Sequence, residues 1–515
     1  SAMKEAIGNI GLDPKRCRPR GLMSVISRMK NELQTVEEIE PSVASVWREY
    51  RRLMKKYEAL DFDDLLVRAV ELLREKEIGE KVRELYGYIL VDEYQDTNKA
   101  QFELTKLLVS RGERLSVVGD ASQAIYSFRG ADFRNLSLLK QDFPELTEVR
   151  LEVNYRSTQN ILDGAYGVIN NNTNHPILRL TTNEGTGEKI SLYEAGDEKD
   201  EAIYVVNRLA EEPETESAIL YRTNAQSRAF EEELLRRGIG YKLVGGTRFY
   251  ERAEIKDLIA YLRVIANEKD GVSWKRIEKM GKRKKIKFEE WLGKNKKLMV
   301  KMKAGEVLEE VLQVTDYKAG FDEKDEMDRG RLENIDEFRA VAGEHEGLEA
   351  FLESVSLIQA DEEAEQKKKE KAKVTLMTVH GAKGLEFTRV FVVGMEEGLF
   401  PHSRSIAEKD DMEEERRLLY VAITRAKKKL YVSLARNRLM YGGRQSNMPS
   451  RFLVEIPEKN VTRVAPMGIF HRNSSAGREK IIWKKEVEII ETRRIVQDFE
   501  IEKETAEDFR EIDEW

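Results

Sequence analysis

Two short apolar runs, each ending in acid, limit the fold more than any other feature of the sequence. Tyr88-Ile89-Leu90-Val91 stops at Asp92-Glu93, and Leu115-Ser116-Val117-Val118 stops at Gly119-Asp120. The segment between them, 99–110, has helical spacing. Runs of this kind joined through a helix predict buried parallel strands with crossover helices, an α/β arrangement. The pattern returns downstream. Ser217–Tyr221, Val374–Met377, Val390–Val393 and Lys429–Val432 read as strands, and a helix over 225–237 ends at Gly238, as a C-cap requires.

Helical segments surround these strands. Residues 22–86 carry apolar side chains at helical spacing (Leu22, Ile26, Met29, Leu33; then Leu65, Leu66, Ala69, Leu72, Leu73), and Met3 falls in a helix already under way. Residues 255–358 read almost wholly as helix and interrupt the second α/β region like an insertion. Within them Lys279–Lys303 holds eleven Lys/Arg against two Glu, a basic patch suited to phosphate contacts or simply a solvated face. The charge block 361–373 is predicted to be a solvated loop, and 498–515 an acidic, flexible end.

With 515 residues, several domains are expected. Charged residues reach 36%, yet the apolar 40% is blocked well enough to build cores. Cys17 is the only thiol and the five histidines are scattered, so neither a disulfide framework nor a cysteine-based metal site is possible. No apolar run approaches the roughly 20 residues of a membrane span. A soluble protein of a reducing compartment is predicted. The net charge of −7 argues only weakly against a nucleic-acid partner, because it averages over many local surfaces.

Adjacent acids at the carboxyl end of a parallel strand suit nucleotide hydrolysis. Asp92 can hold Mg²⁺ and Glu93 can orient and deprotonate the attacking water, although the same pair would also serve as solvated acids capping the next helix. One strand over, Gln123 has the donor and acceptor needed to sense a γ-phosphate. Tyr126, Phe128 and Arg129 follow, two rings and a cation that suit base stacking or, equally, a core. Arg156 and Arg425 each sit near an apolar element, as an arginine finger would. His380-Gly381-Ala382-Lys383-Gly384-Leu385-Glu386 packs glycines, a lysine and a glutamate into one turn that could approach phosphate closely or lie in solvent.

In order along the chain, VDEYQDTN, VVGDASQAIYSFRGAD, VNYRS, ILYRTNAQSR, TVHGAKGLEF and EEERRLLYVAITRAK resemble the motifs of superfamily 1 DNA helicases of the UvrD/Rep/PcrA type, as do ALDFDDL, GMEEGLFPHSRS and PSRFLVEIP. The resemblance covers about 10–457. It implies two RecA-like (P-loop NTPase-type) parallel-sheet motor domains with helical insertions, ATP and Mg²⁺ as cofactors, and single-stranded DNA and single/double-strand junctions as partners. It implies 3′–5′ unwinding, a bacterial cytosolic, nucleoid-associated location, and a monomer or weak dimer. Its boundaries would be 1–157 for the first motor domain, with a remnant insertion at about 22–60. The second motor domain would take 158–266 and 374–457, its insertion 267–373, and a C-terminal tail open to repair or replication proteins 458–515.

Carried over residue by residue, the resemblance makes Asp92 the Mg²⁺ ligand and Glu93 the base. Gln123 and Arg156 would contact the γ-phosphate, with Arg425 as the finger. Lys383 and Gly384 would line the nucleotide site, Tyr155 would stack on adenine, and Glu386 would bind ribose. Phe62, Tyr126, Phe128, Arg129, Asn224 and His380 would follow the single strand. Phe128 stands where the family commonly has tryptophan.

Two departures stand out. No G-x-x-x-x-G-K-[ST] occurs, and the adenine-reading glutamine motif that precedes it in the family is missing. The expectation is a first motor domain truncated at its N-terminus, and a chain that turns over little or no ATP. The insertion also lacks the family's Gly-Ile-Gly turn, having Met280-Gly281-Lys282-Arg283-Lys284-Lys285 instead. Two rivals remain: a non-catalytic DNA-binding or partner protein descended from such a helicase, and a helicase–nuclease subunit. The second would need a nuclease domain, for which the roughly sixty residues after Pro457 are too few.

Overall fold

The computed structural model describes residues 2–465, except 14–16, 110–114, 300–301, 324, 366–371 and 441–442. Helices α1 (Ala2–Asn9), α2 (Pro19–Asn31) and α3 (Pro41–Lys56) bury Ile7, Ile26, Trp47 and Leu53 against one another. Helix α4 (Phe62–Arg74) opens on a capping box of Asp61 and Asp64, and buried Lys30 lies 2.7 Å from both carboxylates. Helix α5 (Lys76–Leu85) completes the block, so the helical reading of 22–86 holds.

Strand β1 (Ile89–Val91), α6 (Lys99–Leu108), β2 (Leu115–Val117) and α7 (Asn135–Asp142) follow, and β1 pairs with β2 in parallel, Ile89 opposite Leu115. The expectation that these strands are buried needs correcting. Among the described residues this sheet has two strands. Ile89, Val91, Leu115 and Val117 pack with Tyr94, Phe102 and Leu139, but Leu90 on the opposite face is 79% exposed. A parallel strand is buried only when both of its faces are covered, and here one is.

Next come β3 (Val153–Asn154), α8 (Gln159–Ile169) and β4 (Thr181–Thr182), with β3 parallel to β4. The large sheet begins with β5 (Ile190–Asp197), α9 (Glu198–Glu211), β6 (Ser217–Tyr221), α10 (Ser227–Arg236) and β7 (Tyr241–Leu243). Among the described residues six helices interrupt it: α11 (Ala253–Ala266), α12 (Gly271–Met280), α13 (Lys282–Met299), α14 (Ala304–Thr315), α15 (Glu326–Gly343) and α16 (Leu348–Glu365). They share a core around Tyr261, Phe288, Phe338 and Phe351. The sheet resumes with β8 (Val374–Thr378), β9 (Phe387–Val392), α17 (Lys409–Ile423), β10 (Ala426–Met440), β11 (Gly443–Ser446) and β12 (Val461–Val464).

Its order is β12-β5-β10-β9-β6-β8-β7, all parallel, with β11 antiparallel to β10. Central β6 is buried at every residue, which explains its unbroken apolar run. On one face α8 and α17 bring Ile161, Leu418 and Val421 onto Leu220 and Val390. On the other, α9 and α10 bring Val205, Phe230 and Leu234 onto Ile219 and Phe391. A doubly wound α/β sheet results, as the sequence predicts.

Three details differ from the sequence reading. Helix α10 starts at Ser227, because residues 224–226 form a 3₁₀ turn. Residues 361–365 continue α16 instead of opening a loop, while 366–371 lie outside the described residues. Val461–Val464, read as the start of a tail, adds an edge strand to β5, and 466–515 lie outside the described residues. Among the described residues no helix is long and apolar enough to cross a membrane.

Candidate active site

The chain turns sharply after β1. Glu93 sits at φ +51°, a left-handed conformation that costs a residue with a side chain about 1–3 kcal/mol and is found where function or packing over-determines it. Asp92 accepts the Glu93 N–H at 2.8 Å. Gln95 is wholly buried. Its amide donates to the Glu93 carboxylate and its oxygen accepts the Asp120 N–H at 2.9 Å, so the acids after β1 and the turn after β2 form one hydrogen-bonded unit. Gln123 in that turn donates to Asp120 at 2.9 Å.

Cations approach this unit from the large sheet. Lys383, in the loop after β8, donates to the Gln123 carbonyl at 2.7 Å, pairs closely with Asp96, and lies 3.6 Å from Glu93. Gly384 beside it takes φ +81°. Burial pushes the Asp96 carboxyl up, and Lys383 opposes that shift.

Arg425, between α17 and β10, is 2% exposed. It donates to the carbonyls of Val421 at 3.0 Å and Leu385 at 3.2 Å, to Thr424 Oγ1 at 3.1 Å and to Gln123 Oε1 at 3.4 Å. Burial above all, then the charge of Arg156, lowers its pKa to about 10. A guanidinium disfavoured in this way gains from an added anion. Arg156 donates to Glu386 at 2.6 Å, and Lys427 pairs with the same carboxylate at 2.6 Å; together Lys427 and Arg156 hold the Glu386 carboxyl low.

A ring cluster adjoins the cations. Tyr126 and Phe128 meet edge to face at 6.0 Å, and Phe128 meets His380 at 5.7 Å. The Arg129 guanidinium lies 5.4 Å from both the Tyr126 and Phe128 rings. Tyr126 donates to the His380 carbonyl at 3.3 Å. Burial, then Arg222 and Arg129, lower the His380 pKa to about 3, leaving a neutral ring beside half-exposed Phe128. A partly exposed ring set with cations is the equipment of a base-stacking surface.

Comparison with known proteins agrees with this layout. The profile of the UvrD/REP helicase N-terminal domain matches residues 1–144, and that of the UvrD-like helicase C-terminal domain matches 149–317 and 287–437. The chain belongs to the UvrD/Rep helicase family. The ATP-dependent DNA helicase PcrA of Staphylococcus epidermidis is 42% identical over 522 residues, spanning 89% of this chain and 71% of that protein. PcrA of Staphylococcus aureus is 41% identical over the same spans.

Within this helicase-family chain, the turns after β1 and β2 that carry Asp92, Glu93 and Gln123 meet the large-sheet loops that carry Lys383, Gly384, Glu386 and Arg425, Arg156 pairs with Glu386, and Tyr126, Phe128, Arg129 and His380 gather beside Lys383. Three sequence candidates stay apart from these groups. Phe62 is 90% exposed at the start of α4, with no ring contact among the described residues. Tyr155 is exposed and likewise unstacked. Asn224 begins the 3₁₀ turn after β6, two residues from Arg222.

Several members escaped the sequence reading. Gln95 and Asp96 stood inside VDEYQD but were passed over in favour of the acid pair. Lys427 and buried His175, which bonds Ser122 at 3.1 Å, reach the site from 41 and 53 residues away, and no local signal marks them. Among the described residues no three His, Cys, Asp or Glu side chains group to hold a metal. An exposed carboxylate such as Asp92 still fits Mg²⁺, which commonly takes one or two carboxylates and completes its shell with phosphate and water.

Proposed function

We propose that this chain is the motor of an ATP-dependent DNA helicase that moves 3′–5′ along single-stranded DNA. The observation that carries the reading is Arg425, bonded to Gln123 on the loop after β2; burial disfavours its charge, so it would gain from an added anion. Polyphosphate would supply that anion. Asp92 would hold Mg²⁺, which when bound screens the phosphate charge. Glu93, oriented by Gln95, would take the proton of the attacking water. Gln123, Arg156 and Arg425 would read the γ-phosphate, Glu386 the ribose and Tyr155 the adenine. Lys383 would exchange its bonds to Asp96 and Gln123 for phosphate.

Because Lys383 and Arg425 come from the large sheet while Glu93 and Gln123 come from the small one, nucleotide binding would draw the two together. Tyr126 and His380 would transmit the movement to a strand stacked on Phe128. A groove of about 570 Å³ lined by Lys256, Arg263, Lys275, Arg276 and Lys279 supports phosphate-backbone contact by α11 and α12. We take the domain limits to be 1–157 for the first motor, 158–266 and 374–457 for the second, with the second extended by β12.

The sequence contains no G-x-x-x-x-G-K-[ST], which favours, as a second reading, DNA binding without turnover by this stretch alone. Measuring phosphate release by the 515-residue chain, with and without single-stranded DNA, separates the two. Weak or no turnover is expected. DNA-stimulated turnover that disappears in Glu93→Gln would show that these residues suffice for catalysis.

A further inference from the structure

Where the insertion meets the large sheet, a cavity of about 50 Å³ is walled in part by carboxylates. Glu333, Asp336 and Glu337 come from α15 and Glu198 from the start of α9, while Leu399 and Leu439 supply apolar wall. Three of the acids have partners. Asp336 meets Lys318 at 2.6 Å and Glu337 meets Arg228 at 2.7 Å, while among the described residues Glu333 meets only the ring of His402, itself part of the cavity wall, at 3.4 Å. Arg438 also borders the cavity, but its guanidinium is committed to Glu201 and Glu396.

Glu198 is different. It is 4% exposed, one of its oxygens accepts the Leu439 N–H at 3.3 Å, and the other is buried with no hydrogen-bond partner. It has no ion pair among the described residues. A buried carboxylate without a counter-charge is costly, and such a group normally meets a cation. Water could fill the space, since about 10–15 Å³ accommodates one molecule, but water leaves the charge uncompensated. Burial pushes the Glu337 carboxyl up against the pull of Arg228, and the charge of Glu198 adds to the rise.

We propose that this cavity binds a primary ammonium group on an aliphatic stem, its –NH₃⁺ on Glu198 and Glu333 and its methylenes against Leu399 and Leu439. An ammonium offers three donors in a compact head. A bare metal ion fits less well, because no three acids here are grouped for coordination. The stem could belong to a free di- or polyamine or to a lysine of another protein. Either would tie α15 of the insertion to α9 and β10 of the sheet.

Titration calorimetry and thermal melting of the 515-residue chain with putrescine, spermidine and Nα-acetyl-lysine amide test this, with NaCl and MgCl₂ at matched ionic strength as controls. Saturable binding and a raised Tm are expected with the amines but not with the salts. Tighter binding of the diamines points to a free amine, and tighter binding of the lysine amide to a protein lysine. Glu198→Gln should weaken binding about 10–100-fold, the loss of a charge-assisted hydrogen bond, and should raise the Tm of the amine-free protein by removing an unpaired charge. Should that variant not fold, Glu333→Gln takes its place, with the same loss of affinity expected. Equal amine binding by wild type and variant, or saturation by none of the three amines, would overturn the proposal and leave a water-filled cavity.

Discussion

Replacing Arg425 with alanine separates a nucleotide-sensing role from a structural one, and the geometry sets the sizes. The side chain makes four hydrogen bonds, to Val421, Leu385, Thr424 and Gln123. At about 1 kcal/mol each, their loss costs about 4 kcal/mol. Against this, a guanidinium whose pKa burial lowers to about 10 is disfavoured in its charged form by about 3 kcal/mol, a cost that alanine removes. The net destabilisation is then about 1 kcal/mol, a fall in Tm of about 1 °C for a chain of this size. Single-strand affinity should hardly change, since the residue faces Gln123 and not the ring cluster. ATP turnover, read in a version extended by a phosphate-binding loop, should fall about 10³–10⁵-fold, as for other arginine fingers. Arg425→Lys should rescue poorly, because a point charge lacks the planar fork. Melting temperature, DNA anisotropy and phosphate release belong on one preparation. A loss of DNA binding in step with a Tm drop of ten degrees, and turnover falling only with the folded fraction, would refute the reasoning and leave Arg425 a packing residue.

Three further outcomes are expected. The imidazole of His380 is neutral in the fold down to about pH 3 but takes a proton below about 6.5 when unfolded, so its contribution to stability is complete above 6.5 and lost as pH falls. His380→Gln should therefore flatten denaturant-measured stability between pH 7 and 5 by about 1 kcal/mol, after discounting for partial exposure; an unchanged slope would contradict the assignment. Single-strand binding, followed by anisotropy at two salt concentrations, should weaken with salt, and Phe128→Ala should cost about 1–3 kcal/mol at both; an unaffected affinity would remove Phe128 from the track. Gly187 holds φ +71°, and an added Cβ would lie 2.3 Å from Thr158, so Gly187→Ala should lower stability by about 2 kcal/mol or more, checked by thermal melting.

What the sequence determined by itself is the local chemistry. Apolar runs bounded by turn residues announced β1, β2, β6, β8 and β9, because a strand's preference for extended, apolar residues is local to the strand. The insertion was legible as an unbroken helical stretch, and the ordered motifs carried the family through VDEYQDTN, TVHGAKGLEF and the rest. The ends of elements were less legible: whether 461–464 joins a sheet depends on β5 lying open beside it, which no neighbour in the sequence records. The tertiary structure alone decided which polar groups meet. Lys383 on Asp96, Arg425 on Gln123 and Glu386 on Lys427 are joined over 287, 302 and 41 residues; the first two pairings follow from how the loops of two sheets face each other, the third from β9 and β10 lying side by side in one sheet. The exposure of Leu90 and the missing partner of Glu198 belong to the same class. A residue's own chemistry says whether it seeks cover or a counter-charge, and only the packed chain decides whether it finds one.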